Sequence, residues 1–219
     1  MAKSNMRVAW GPVLALGIGV LAYGIFEWRG GGGGGASRDP VAGVPAVQGV
    51  RETLGNYEAL DGWRLLDHRN NDGDSFVLLS DGGQEELTLR IYFVDAPEKR
   101  RNDYNGKRIG HQARYFGVSP GRAVEVGLAA KDFTLELLER EPFTVYTLWE
   151  EVYDSGRYFG FVRFADGDYL CERLVRAGLA RIYTKGEDLP DGRRMGDFKS
   201  HLHGLESEAK AAGRGGWTR

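Results

Sequence analysis

Cysteine is nearly missing: Cys171 is the single one in 219 residues, so no internal disulfide framework is available. Its neighbours Leu170, Leu174 and Val175 mark it as core packing rather than a reactive thiol. An excess of either charge is missing too. The formal net charge of −2 carries no global electrostatic signature of nucleic-acid binding and leaves only local basic patches to consider. Histidine is sparse, with four in all. His201 and His203 stand two apart in an expected helix and so point in different directions, no third ligand accompanies them, and His68 and His111 stand alone; a transition-metal centre is not expected. The glycine tract at residues 30–35 has no strand leading in and no Gly-Lys-Ser/Thr closing it, which excludes a phosphate-binding loop.

One long apolar run is present. Residues 8–26 are free of charge, follow Lys3 and Arg7, and are long enough to cross a bilayer as a helix. Glu27, Trp28 and Arg29 come directly after, where a cleavable signal would carry small residues. Residues 1–29 are therefore read as a membrane anchor or signal segment, an uncleaved transmembrane helix being favoured over cleavage near Ala36 and Ser37. Lys3, Arg7 and the free amine tilt the orientation toward an inside amino terminus. Residues 30–61, rich in glycine and then in Pro, Val and Ala, read as a flexible linker, and residues 62–219 as the folded domain.

Within that domain, apolar runs at 62–69 and 75–80 flank Asn70, Asn71, Asp72, Gly73 and Asp74, a cluster that demands a turn: a hairpin with an acidic tip. After a turn at Asp81, Gly82 and Gly83, residues 86–94 alternate as a third strand, with Leu87, Leu89, Ile91 and Phe93 on one face and Arg90 on the other. The basic segment 99–108 has no periodicity and is expected to be a surface loop, with a short helix at 111–116. Ser119 and Pro120 start a helix whose face is expected to run through Val124, Leu128, Phe133 and Leu137. Strands at 143–148 and 158–164 enclose a turn at Asp154, Ser155 and Gly156, and helices are expected at 169–177, capped by Gly178, and at 198–212. Trp63, Trp149 and Trp217 are assigned to packing. The sum is an α+β, mainly β, fold: a five-stranded Greek-key barrel of the oligonucleotide-binding (OB-fold) type with three helices.

The stretch that organises the rest is 90–98. Pro97 ends a strand that opens on Arg90 and releases Asp95 and Glu98. An arginine suits phosphate, carboxylates with backbone oxygens suit a hard cation, and a nearby glutamate suits a water: the parts of a metal-assisted phosphodiesterase. Taken alone, the same residues also describe an ordinary strand exit.

Four segments in order resolve that choice: Asp72, Gly73, Asp74 and Ser75; residues 90–98; Ser155, Gly156, Arg157 and Tyr158; and residues 174–180, followed by a last helix closing on Trp217. With these the chain resembles the staphylococcal nuclease (thermonuclease-like) family over about residues 62–217. The resemblance implies that Asp74, Asp95 and the backbone carbonyl of Ala96 hold a calcium ion with Asp72 nearby, that Glu98 is the general base, and that Arg90 and Arg157 grip the phosphate. It implies Tyr183 as a substrate-binding residue and DNA or RNA as substrate, cut to 3′-phosphate ends; Lys99, with Arg100 and Arg101 in the basic segment, is read separately as a phosphate contact. Calcium is scarce in the cytosol, so the domain is expected outside the cytoplasm, membrane-anchored in a periplasmic or extracellular setting, or secreted if the leader is cleaved. The alternative is a non-catalytic OB-fold module that binds nucleic acid or protein; a clustered acid set that repels phosphate argues against it. Two departures from the family pattern stand out. Ser155 replaces an aromatic residue before the Gly-Arg pair, and residues 99–121 are longer than a minimal member needs.

Overall fold

Asx chemistry builds the first functional turn. In the computed structural model, which describes residues 51–218, Asn71 donates to the Leu66 carbonyl at 2.8 Å and accepts from the Val77 amide at 3.0 Å. This clamps the loop between β3 (Arg64–Leu65) and β4 (Ser75–Leu79). β4 pairs antiparallel with β5 (Glu86–Ile91), Ser75 opposite Arg90, so the expected meander of three strands is present. The anchor at 1–29 and the linker up to residue 50 lie outside the described residues.

The fold is α+β and mainly β, as expected, while the strand pairing does not show the closed barrel. Strands β1 (Arg51–Leu54), β2 (Tyr57–Leu60), β7 (Phe143–Glu151) and β8 (Arg157–Phe164) extend the meander into a seven-stranded mixed sheet, ordered β1-β2-β7-β8-β5-β4-β3. Its edges, β1 and β3, do not pair with each other, so the hydrogen bonding does not close five strands into a ring. Residues 51–60, expected in the linker, form a hairpin on β7 because Tyr57, Ala59 and Leu60 are buried there. Among the described residues the single parallel pairing is β5 with β8, in which Arg90 lies opposite Phe159 and Thr88 opposite Arg157. That register brings the two arginines onto neighbouring strands, two residues apart.

The third strand does not run through to Val94 as its alternation suggests. Phe93 adopts φ +68°, a left-handed conformation that is uncommon for a bulky residue. The chain turns there, and β6 (Val94–Asp95) pairs instead with β9 (Arg181–Ile182) in a separate ribbon. Packing holds the strained residue: its amide donates to the Lys185 carbonyl at 2.8 Å, and its buried ring meets Phe198 edge-on at 5.1 Å. Gly186 is needed at that point, since a Cβ there would lie 2.4 Å from the Phe93 ring.

Four α-helices occur among the described residues, the three of the expected fold and the short one suggested at 111–116: α1 (Gly106–Phe116), α2 (Pro120–Arg140), α3 (Leu170–Arg176) and α4 (Met195–Ala211). α1 starts within the segment expected to be a surface loop. α2 begins as predicted, with Pro120 at its first position and Ser119 Oγ accepting from the Arg122 amide at 3.2 Å. Its buried face, however, is Ala123, Val126, Gly127, Ala130, Thr134 and Leu138, and Leu128 is exposed. The small residues are there because backbone comes close: a Cβ on Gly127 would stand 2.4 Å from the Pro97 carbonyl oxygen, and one on Gly73 would stand 2.8 Å from the Ala130 Cβ. Thr134 Oγ1 donates to the Gly73 carbonyl at 2.8 Å. One helix thus seats both acidic loops, 72–74 and 95–98. α3 ends on Gly178 at φ +70°, as expected. Trp149, assigned to packing, instead sits at a bulge in β7 with φ +56° and part-exposed, its indole donating to Glu58 at 2.6 Å.

Candidate active site

Two buried carboxylates and one buried guanidinium form the floor of the site. Arg90 Nη1 donates to Asp74 Oδ1 at 2.7 Å and Nη2 donates to Asp95 Oδ1 at 2.9 Å. Asp74 and Asp95 are each 2% exposed and Arg90 8%. Asp74 Oδ2 accepts from the Ala96 amide at 2.5 Å, tying the first acidic loop to the second. Asp95 is held from three further directions: by Arg108 at 2.6 Å, Arg181 Nε at 2.7 Å and Gln112 Nε2 at 3.0 Å.

The surroundings set the two acids apart. Burial pushes the Asp74 carboxyl up to about 7, with Arg90 pulling against it and Asp95 and Asp72 adding to it. Burial would raise Asp95 as well, but Arg108, Arg90, Gln112 and Arg181 outweigh it and hold its carboxyl below the usual range. Asp72 is raised by burial, against its own bond from the Gly73 amide at 2.8 Å.

A cleft of about 400 Å³ opens over this floor and is lined by Asp72, Asp74, Arg90, Ala96, Glu98 and Arg157, with Arg108 among its further walls. Of the residues placed at the centre by the sequence, Asp72, Asp74, Arg90, Ala96, Glu98 and Arg157 face this space, while Asp95 lines an adjoining second cleft. Glu98 is fixed by α1 and its cap: its amide donates to Gln112 Oε1 at 3.1 Å, and its carboxylate accepts from Arg108 at 3.0 Å and from Asn105 at 3.1 Å. Arg157 leans on the Ser155 hydroxyl at 3.1 Å. Burial and the neighbouring Arg90 both lower its affinity for the proton.

A second cleft of about 550 Å³ adjoins the first through Arg90, Arg108 and Arg157 and carries Tyr153, Tyr183 and His111 on its walls. Tyr183 is 66% exposed, with Arg181 stacked 3.9 Å from its ring centroid. Tyr153 is more exposed still, and stands in the turn before Gly156 with φ +50°. It places an aromatic ring beside Arg157 although Ser155 does not. Lys99 is not on either wall: its ammonium turns back to donate to the carbonyls of Asn71 and Arg69.

The sequence reading missed Arg108, Gln112 and Arg181. Arg181 was hidden in an apolar exit strand. The signal for Gln112 was a polar residue on the same helical face as Ile109, Ala113 and Phe116, all of them buried.

As to a cation, the candidate donors are oxygens only: the buried Asp74 with the Ala96 carbonyl and Asp72 on the first cleft, and the buried Asp95 on the second, joined to Asp74 through Arg90. This chemistry fits a hard divalent ion, with water filling the rest of its shell in the cleft. Among the described residues no three His, Cys, Asp or Glu side chains close on one point as a preformed cage. His201 instead meets Glu172 at 2.9 Å.

Residues 88–219 match the family model of the staphylococcal nuclease homologues. None of the curated proteins matches the chain.

Proposed function

Because the chain belongs to the staphylococcal nuclease homologue family, whose members hydrolyse nucleic acids, we propose that it is a calcium-dependent phosphodiesterase acting on DNA or RNA and leaving 3′-phosphate ends. The observation that carries the reading is the pair of adjoining clefts that share Arg90 and Arg157, with Asp74 and Glu98 on the first and Asp95, bonded to the same Arg90, on the second.

A phosphodiester is an anion that repels hydroxide, so attack needs positive charge on the non-bridging oxygens and a base for the water. Arg157, bonded to the Ser155 hydroxyl and open to both clefts, binds the phosphate and offsets the charge that builds in the pentavalent transition state. Arg90 presents the same charge from the floor while keeping Asp74 and Asp95 in place. Glu98 orients the water and takes its proton. Asp74, Asp95 and the Ala96 carbonyl, with Asp72 beside them, would hold the cation, which would supply further positive charge to the phosphate. Tyr183 and Tyr153 offer ring faces to the nucleoside next to the scissile phosphate.

The domain works outside the cytoplasm, tethered through residues 8–26. The experiment that tests the activity is incubation of the full-length protein with single-stranded DNA and with RNA, in calcium and then in chelator; absence of calcium-dependent cleavage turns the reading to nucleic-acid binding without chemistry.

A further inference from the structure

Arg108 holds both of the carboxylates that the proposed reaction needs free. Its Nη2 donates to Asp95 Oδ1 at 2.6 Å and its Nη1 to Glu98 Oε1 at 3.0 Å, so one guanidinium spans the cation-side acid and the base. The other Glu98 oxygen is taken by Asn105, the residue before α1, whose side chain makes no cap bond to its own helix. Both Glu98 oxygens are therefore occupied by groups at the start of α1. The three arginine partners of Asp95 differ in kind: Arg90 and Arg181 are buried, whereas the Arg108 side chain is 46% exposed and reaches in from the rim. It is the one free to leave. Arg108 also stands at the junction of the two clefts beside Arg157.

We propose that Arg108 is a displaceable positioning residue: it competes with the divalent cation for Asp95, and holds Glu98 in register until cation and substrate enter. The proposal rests on the hydrolytic reading above. A guanidinium and a divalent cation both seek the same carboxylate oxygen, so removing the first must strengthen binding of the second. A merely structural arginine has the opposite sign, because its loss lets the 95–98 loop move and weakens the cation site.

The test is calorimetric titration of the full-length protein with calcium alone, without nucleic acid, for wild type, Arg108→Gln, Arg108→Ala and Arg108→Lys, with thermal melting of each. The expected result is calcium binding tighter by about fivefold in the Gln and Ala variants, the size carried by a half-exposed ion pair. The Lys variant, which keeps the charge, stays near wild type. At saturating calcium, turnover in all three falls with KM nearly unchanged, since Glu98 loses its two-point hold. Calcium binding unchanged or weaker in folded Gln and Ala variants, in a wild type that binds calcium and cleaves, overturns the role of Arg108 alone. Failure of every form to bind calcium overturns both this role and the hydrolytic reading.

Discussion

Arg90 and Asp74 form a buried ion pair at 2.7 Å, and the same guanidinium reaches Asp95 at 2.9 Å. Removing one partner of a buried pair leaves the others charged and unsolvated, at a cost of about 3–5 kcal/mol. Arg90→Ala is therefore expected to lower the unfolding free energy by about that amount and to abolish cleavage. Denaturant melts check the first effect and nuclease assays the second.

Arg157 carries charge in the same cleft without that structural duty, since it bonds the Ser155 hydroxyl of its own turn. Arg157→Ala is expected to change stability by less than about 0.5 kcal/mol while cutting turnover by about 10²–10³-fold. Comparing melts and rates for Arg90→Ala and Arg157→Ala separates the arginine that builds the site from the one that only acts in it.

Gly127 is tested by filling it. A Cβ there meets the Pro97 and Glu98 carbonyl oxygens at 2.4 and 2.6 Å, so Gly127→Ala is expected to cost about 1–3 kcal/mol by overpacking and to disturb Glu98. Gly110, inside α1 with its nearest neighbour 3.8 Å away, is the control: Gly110→Ala is expected to stabilise by up to about 1 kcal/mol. Paired thermal melts read both.

The pH dependence follows from Asp74. Its carboxyl sits at about 7 in the folded chain against an ordinary 3.8, so between those values the folded state keeps a proton that the unfolded state has lost. Stability from this group is full below about pH 3.8 and is lost as pH rises through about 7. Asp95, held low by its cations, has the opposite sign: its contribution is present above its ordinary value of 3.8 and is lost as pH falls through its lower folded value. Calcium needs the ionised form of Asp74, so its affinity is expected to climb from pH 5.5 to 7 and level off above, with proton release below 7. Titration in two buffers of different ionisation heat measures both; a flat profile contradicts this assignment.

Residues 8–26 predict the location. In intact cells or spheroplasts, added protease is expected to digest the domain at residues 51–218; protection until the membrane is broken reverses the orientation.

The parts of this site that sequence alone makes visible are those fixed by local chemistry. Ser119 and Pro120 start α2, Gly178 ends α3, and Asn71 and Asp72 turn the chain into β4, because caps and Asx turns depend on residues a few places apart. Arg90, Asp95 and Glu98 stand out for the same reason, grouped around Pro97. The rest depends on distant packing. Phe93 takes its left-handed conformation because Phe198 and Gly186 surround it, and no alternation of residues 86–94 foretells that. The buried face of α2 is drawn by the approach of the Pro97 and Gly73 backbones, which selects glycine and alanine over the larger residues that periodicity favours. Arg108 looked like one of a solvated basic run, and acquires its partners only when α1 lies across the 95–98 loop.

The most direct measurement is cleavage of single-stranded nucleic acid by the wild-type protein and by Glu98→Gln, each with calcium and with chelator, alongside calcium binding to both. The account predicts calcium-dependent cleavage by wild type leaving 3′-phosphate ends, and a Glu98→Gln protein that still binds calcium but turns over at least about 10²-fold more slowly. Cleavage that survives Glu98→Gln undiminished, or that ignores the chelator, would contradict it.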